Sequence, residues 1–167
     1  ENFNSDLGFI RRKDIFKIDP QVEYLLFPKK GFINRHTFSI TPIIIWRPKL
    51  DYKLGDYTIL TQWNAELKNT GQIRASLFNR YTYLFEEFDA SISDGLPLSA
   101  DTDYHYSSFE LEFQSNNRKA FFFRVRSSFG EFFNGTIYTA ASDLTLRIQP
   151  KLLFTLQARY DHIELPK

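Results

Sequence analysis

The stretch KAFFFRVRSSFGEFF, Lys119 to Phe133, sets Arg124 and Arg126 inside a run of phenylalanines. Neither a globular core nor a lipid bilayer takes a guanidinium unpaired, because the cost of desolvating the charge exceeds what its apolar stem returns. A strand resolves the conflict through its period of two. Phe121, Phe123, Val125 and Phe129 then share one face, while Ala120, Phe122, Arg124, Arg126 and Ser128 share the other. The segment reads as a two-faced strand.

The same alternation runs outward through the chain. Eight candidate strands follow, at about 14–27, 35–47, 56–68, 72–86, 104–115, 119–133, 136–148 and 152–163, and no stretch holds a helical period. Each exceeds the roughly 5 to 6 residues usual in globular sheets and reaches the ~9 to 11 that cross a bilayer at a tilt. Trp63 shares a face with Tyr57, Ile59, Ala65 and Leu67, opposed by Thr58, Gln62, Asn64, Glu66 and Lys68. Phe109, Leu111 and Phe113 oppose Glu110, Glu112 and Gln114; Leu152, Phe154 and Leu156 oppose Thr155, Gln157, Arg159 and Asp161. The second strand breaks the pattern: Ile43 and Ile45 fall on its polar face, and Pro42 removes a ladder donor, so a bulge or a local plug contact is expected there. The chain is thus expected to be all-β, an antiparallel up-and-down transmembrane β-barrel or a segment of one, forming a single domain over residues 1–167.

Composition excludes several classes. The chain has 167 residues and a formal net charge of +1 from 21 basic and 20 acidic side chains, which leaves no electrostatic footprint for nucleic acid. It has no cysteine, hence no disulfide framework and no thiolate metal site. No apolar run reaches the roughly 18 residues of a transmembrane helix, and Glu1 opens no signal peptide, so a mature, trimmed or partial chain is expected. Eighteen phenylalanines and nine tyrosines are the outlying feature. Tyr24, Trp46, Tyr57, Tyr83, Tyr138 and Tyr160 fall near strand ends, where interfacial girdles place aromatics.

Turn chemistry suggests partners for the charges. Asn134-Gly135 as a two-residue turn sets Phe133 opposite Thr136 and Arg126 opposite Asp143. A three-residue loop at Asn116-Asn117-Arg118 sets Glu110 opposite Arg124, with Glu112 on the diagonal; one at Asn69-Thr70-Gly71 sets Glu66 opposite Arg74. With Arg159 and Asp161 these residues form a sign-balanced ladder expected to line a barrel. Connections of alternating length, tight at PKKG, KNTG, SNNR and QPK and longer between, suit the two ends of an outer-membrane barrel. Trp46, Trp63, Phe109, Leu111, Phe113, Phe121, Phe123, Phe129, Leu152, Phe154 and Leu156 are then expected to face lipid. Alternation does not say which face is inside, and a soluble lipocalin-like barrel with an apolar ligand inverts the arrangement.

No catalytic or metal constellation emerges. His36, His105 and His162 all fall near strand ends on the apolar face, far apart in sequence. Asp161 and His162, as strand neighbours, point to opposite faces. Glu110 and Glu112 share a face at a spacing that suits a pair of glycosidase carboxylates, but an arginine between them suits a structural ladder better. A barrel-embedded hydrolase stays as a third reading. Asn134-Gly135-Thr136 matches an N-glycosylation pattern but is needed as a turn.

The opening ENFNSDLGFIRRKD resembles the E-D/N-F-N-P-E/D-V/L-G-F-x-x-R segment of a family of Gram-negative outer-membrane proteins, which carry a family-9-like carbohydrate-binding module ahead of a C-terminal β-barrel domain of unassigned function. NRYTYLFEEFD, DYHYSSFELEFQSNNRK, GEFFNGTIY and LRIQPKLLFTLQARYDHIELP are similar to that family in the same order, over nearly the whole chain. Ser5 replaces the usual proline, and Glu87-Phe88-Asp89 the usual P-F-D. The resemblance implies a non-enzymatic outer-membrane barrel that anchors, or serves uptake for, a surface glycan-handling protein. It implies no cofactor. The implied partners are outer-membrane lipid, a glycan reached through a module this chain does not carry, and the further strands or chains of a larger barrel. HIELPK lacks a terminal aromatic strand, so a barrel segment is expected.

Overall fold

Alternating side chains and turn-forming punctuation produce one antiparallel sheet. The computed structural model describes residues 14–89 and 97–165. The opening motif up to Lys13, the middle of the long loop and the last two residues lie outside the described residues. The strands are β1 (Phe16–Ile18), β2 (Val22–Leu26), β3 (Ile33–Arg47), β4 (Lys53–Leu67), β5 (Gln72–Leu84), β6 (Thr102–Gln114), β7 (Phe121–Phe132), β8 (Gly135–Ile148) and β9 (Leu152–Glu164). Each of β3 to β8 pairs with the next in sequence, and β1 and β2 both pair with β3. The fold is all-β and up-and-down, and among the described residues the sheet is not closed: there β9 pairs only with β8.

The first expected strand, 14–27, is split in two. Ile18 lies opposite Ile44 and Val22 opposite Ile40. One register therefore spans the gap, and it would set Pro20 against Pro42. Two residues without N–H groups cannot exchange ladder bonds, so the pairing lapses between them. The bulge expected around Pro42 is instead found at two other places. At one, Ile45 lies opposite Asp56 and Trp46 opposite Leu54, leaving Gly55 as the extra residue; at the other, Asn34 is extra.

Away from these two bulges, face membership follows the alternation. Cross-strand rows such as Phe38, Trp63, Ala75, Leu111, Ser127, Ala140 and Tyr160 make one face. Thr37, Asn64, Arg74, Glu112, Arg126, Ala141 and Arg159 make the other. A curved sheet crowds side chains on its concave side, and burial tells which side that is. Among the described residues, Ser39, Ser76, Glu112, Thr139 and Thr145 are buried on the polar face, whereas Ala65 alone is buried on the apolar face. Phe38, Ile40, Ile59, Leu111, Phe121, Phe129, Phe154 and Leu156 stand exposed. The usual arrangement of a soluble domain is inverted.

Three hairpin registers differ from expectation. Phe132, not Phe133, closes on Gly135, so the turn is Phe133-Asn134 and Arg124 lies opposite Asp143, with Arg126 opposite Ala141. Gln114 lies opposite Arg124 and Glu112 opposite Arg126, four residues from the expected pairing of Glu110 with Arg124. Asn64 lies opposite Arg74 and Glu66 opposite Gln72, and Thr70, rather than Gly71, takes the left-handed conformation at φ 70°. Every shift is even, so no side chain changes face.

The expected alternation of short and long connections does not hold either. GEFFNG forms the tightest hairpin, and SNNR sits within a longer connection between Gln114 and Phe121. At the wide loop the backbones of Phe88 and Leu98 bond to each other in both directions, at 3.1 and 2.8 Å. This fold-back brings Phe88 beside Phe133, whose ring lies 5.7 Å from Phe88, 5.4 Å from Tyr104 and 5.2 Å from Tyr106. Ile45, Leu84, Phe88 and Phe133 line one side of a cavity of about 370 Å³ there, with Asp56, Thr58, Arg80 and Thr82 also in its lining. The out-of-place Ile45 is thus explained by an apolar plug at one end of the polar face.

Candidate functional site on the polar face

Long side chains that project from the concave side of a sheet converge, and guanidinium and carboxylate groups meet there. Glu112 is 6% exposed and sits at the centre. Arg126 donates to its Oε2 through Nε at 3.1 Å and Nη2 at 2.7 Å, and Arg74 donates through Nη1 to Oε1 at 3.2 Å. Arg126 also lies 3.9 Å from Glu110. Both oxygens of Glu112 are occupied as acceptors, and Glu110 shares the same arginine. The pair forms a ladder junction around Arg126.

Around this hub the other charges find separate partners. Arg124 donates through Nε and Nη2 to the neutral Gln114 Oε1 at 3.2 and 3.0 Å, and stands 3.7 Å from Asp143. Gln157 donates to Asp143 at 3.1 Å. Arg159 and Asp161 pair along their own strand at 2.6 Å, and the Thr139 hydroxyl donates to Asp161 at 2.7 Å. Glu66 takes Arg35 at 3.1 Å as its partner, on the side away from Arg74. Arg35 Nε, Arg74 Nε and Asn64 Oδ1 are buried and bond to no protein atom.

The expected apolar set shares the opposite face. Phe109 packs at a tilt against Phe129 at 5.5 Å, Phe113 against Phe123 at 5.7 Å, and Trp46 against Phe16 at 5.7 Å. Leu152, Leu156 and Phe154 lie opposite Ile148, Leu144 and Leu146, and Phe121 also faces Leu146. Tyr57 and Tyr81 stack at 5.3 Å with His105 4.8 Å from Tyr81, which groups aromatics at one end of this face.

The histidines stay apart and engage local partners. Trp63 Nε1 donates to His36 Nδ1 at 3.1 Å, and His162 lies 3.0 Å from Glu164. His162 and Asp161 face opposite sides of β9, as their adjacency requires. Among the described residues no group of three or more His, Cys, Asp and Glu could hold a metal ion.

Comparison with known proteins adds no relative. No family model, curated protein or solved structure matches this chain. Any function must therefore be argued from the two faces.

Two features escaped sequence reasoning. Glu112 binds two arginines because it is flanked on both sides by basic strands, which only the register reveals. Gly130, at φ 152°, lies against Ser108, and an added Cβ would collide with the backbone of Ser107 and Ser108. A glycine inside a strand is a recognised sign of such close approach.

Proposed function

We propose that this chain is a strand segment of a Gram-negative outer-membrane β-barrel, with its apolar face against lipid and its Glu112 face toward an aqueous lumen. The inverted burial carries this reading: a carboxylate and small hydroxyl side chains are enclosed, while phenylalanines, leucines and isoleucines stand outward. Three buried polar atoms on the enclosed side have no protein partner and call for water. In hydrocarbon each such atom would cost several kcal/mol, so that side belongs to a hydrated interior. Strands of 12 to 15 residues from β3 to β9 exceed what a tilted bilayer crossing needs.

Within that reading the segment is non-enzymatic. Its charges pair with one another, and it anchors or serves uptake for a surface glycan-handling protein, the role implied by the resemblance of NRYTYLFEEFD, GEFFNGTIY and the strand β9 region. The open edges accept further strands of a larger barrel.

The test is quenching of Trp46 and Trp63 fluorescence by lipids brominated at defined depths, with protein refolded into bilayers. Strong quenching, deeper for Trp63 than for Trp46, is expected. A folded, detergent-free protein without quenching would turn the apolar face inward and favour a lipocalin-like carrier.

A further inference from the structure

We infer that the polar face carries an oxyanion-binding site between β7, β8 and β9, formed by Arg124, Arg126 and Arg159 around Ala141. The inference deepens the proposed function by naming a ligand class for the hydrated face, and it rests on that face being open to water.

The site follows from one small residue among long ones. Register sets Ala141 between Arg126 and Arg159, and in the adjoining row Asp143 lies between Arg124 and Gln157. One strand, β8, separates Arg126 from Arg159, so two strand spacings, about 10 Å at the backbone, lie between them. A long side chain at 141 would fill the gap; a methyl group leaves it open. A depression of about 380 Å³ results, lined by Arg124, Arg126, Ala141, Asp143, Gln157 and Arg159. Three guanidinium groups and one carboxylate border it. The partners of Arg126 and Arg159, which are Glu112 and Asp161, lie outside the lining.

The donors are also incompletely used. Arg124 spends two N–H groups on a neutral amide and meets Asp143 only at 3.7 Å. Arg159 gives its Nε and Nη2 to Asp161, which leaves Nη1 for a ligand. Guanidinium forks match planar carboxylates and tetrahedral phosphates in two-point contacts. A phosphate, or the carboxylate of a sugar acid, has the oxygen count to bridge Arg124, Arg126 and Arg159, and the Gln157 amide, which gives one N–H to Asp143, has a second for a neighbouring hydroxyl. Asp143 would oppose such an anion and restrain its affinity.

Titration of the full chain, refolded in zwitterionic detergent, with inorganic phosphate and separately with glucuronate provides the test, with glucose as the uncharged control. Saturable binding of at least one anion is expected, the stronger arm naming the source. Arg124→Gln and Arg159→Gln should each weaken it about tenfold, the loss typical of one charge-assisted contact. Arg35→Gln, on the same face but paired with Glu66, should leave it unchanged. Asp143→Asn should tighten binding, which a merely structural role for Asp143 does not produce. Absence of saturation by both anions, equal affinity in Arg124→Gln and the parent, or weaker binding in a folded Asp143→Asn protein overturns the site. Anion binding with unquenched tryptophans would leave the site standing and overturn the membrane reading; quenched tryptophans without anion binding would do the reverse.

Discussion

Arg126 grips one oxygen of Glu112 with two N–H groups, at 3.1 and 2.7 Å, while Arg74 holds the other oxygen from the opposite strand. A carboxylate this enclosed stabilises the sheet only while both guanidinium groups remain. Glu112→Gln is expected to destabilise the refolded protein by about 1 to 3 kcal/mol, because it leaves two partly buried cations short of a partner. Urea unfolding followed by intrinsic fluorescence measures it, and Arg126→Gln combined with Glu112→Gln should cost less than the two single changes added together. Strict additivity would mean that the residues act independently.

Gly130 marks where β7 and β6 part company. The ladder between them ends at Ser108 and Gly130, and beyond it the Ser107 N–H is taken over by the Glu131 carboxylate at 2.9 Å. Gly130→Ala adds a methyl group where the backbone of Ser107 already stands, at a φ of 152°. A loss of about 2 kcal/mol or more is expected, within the range for strained backbone positions. Hydrogen exchange at Ser107 and Ser108 should rise in the same variant; unchanged protection would show that the strands tolerate the side chain.

The Phe133 plug gives a third expectation. Its ring touches Phe88, Tyr104, Tyr106 and Phe132, the last at 5.0 Å. Phe133→Ala should cost about 1 to 3 kcal/mol, less than a fully buried phenylalanine because the site is only half-buried. Proteolysis within the loop between Leu84 and Thr102 should quicken as the fold-back of Phe88 onto Leu98 loosens. A cleavage rate equal to the parent would detach Phe133 from that loop.

Every residue of β9 is exposed, and its outer edge pairs with nothing among the described residues. Unpaired edges beside an apolar face template association. In buffer without lipid or detergent the chain is expected to form assemblies larger than a monomer, read by light scattering during size-exclusion chromatography. A stable monomer under those conditions contradicts the exposed apolar face.

Much of this architecture is legible before any coordinates. Arg124 and Arg126 can be separated from Phe121, Phe123 and Phe129 by counting in twos, because a strand alternates its side chains whatever it pairs with. The same count assigns Glu112, Arg74 and Arg159 to one face and Trp63, Leu111 and Phe154 to the other. Pairing is less legible. Asn134-Gly135 has the chemistry of a favoured turn, yet the chain turns one residue earlier, at Phe133-Asn134, where Phe133 takes φ 53° and its ring reaches Tyr104 and Tyr106. Burying an aromatic ring among others outweighs a turn preference of local origin.

The seven long strands and, away from the bulges at Asn34 and Gly55, the face on which each side chain stands can be read from the sequence, since both follow from a period of two along the backbone. Register is settled only in the folded sheet: which carboxylate meets which guanidinium, where Gly130 must pass close to Ser108, and how Ala141 comes to lie between Arg126 and Arg159. A slip of two or four residues preserves every alternation, so the hydrophobic pattern is blind to it. The choice falls instead to contacts between residues distant in sequence, such as Glu112 with Arg74 and Phe133 with Phe88, which exist only once the sheet has formed.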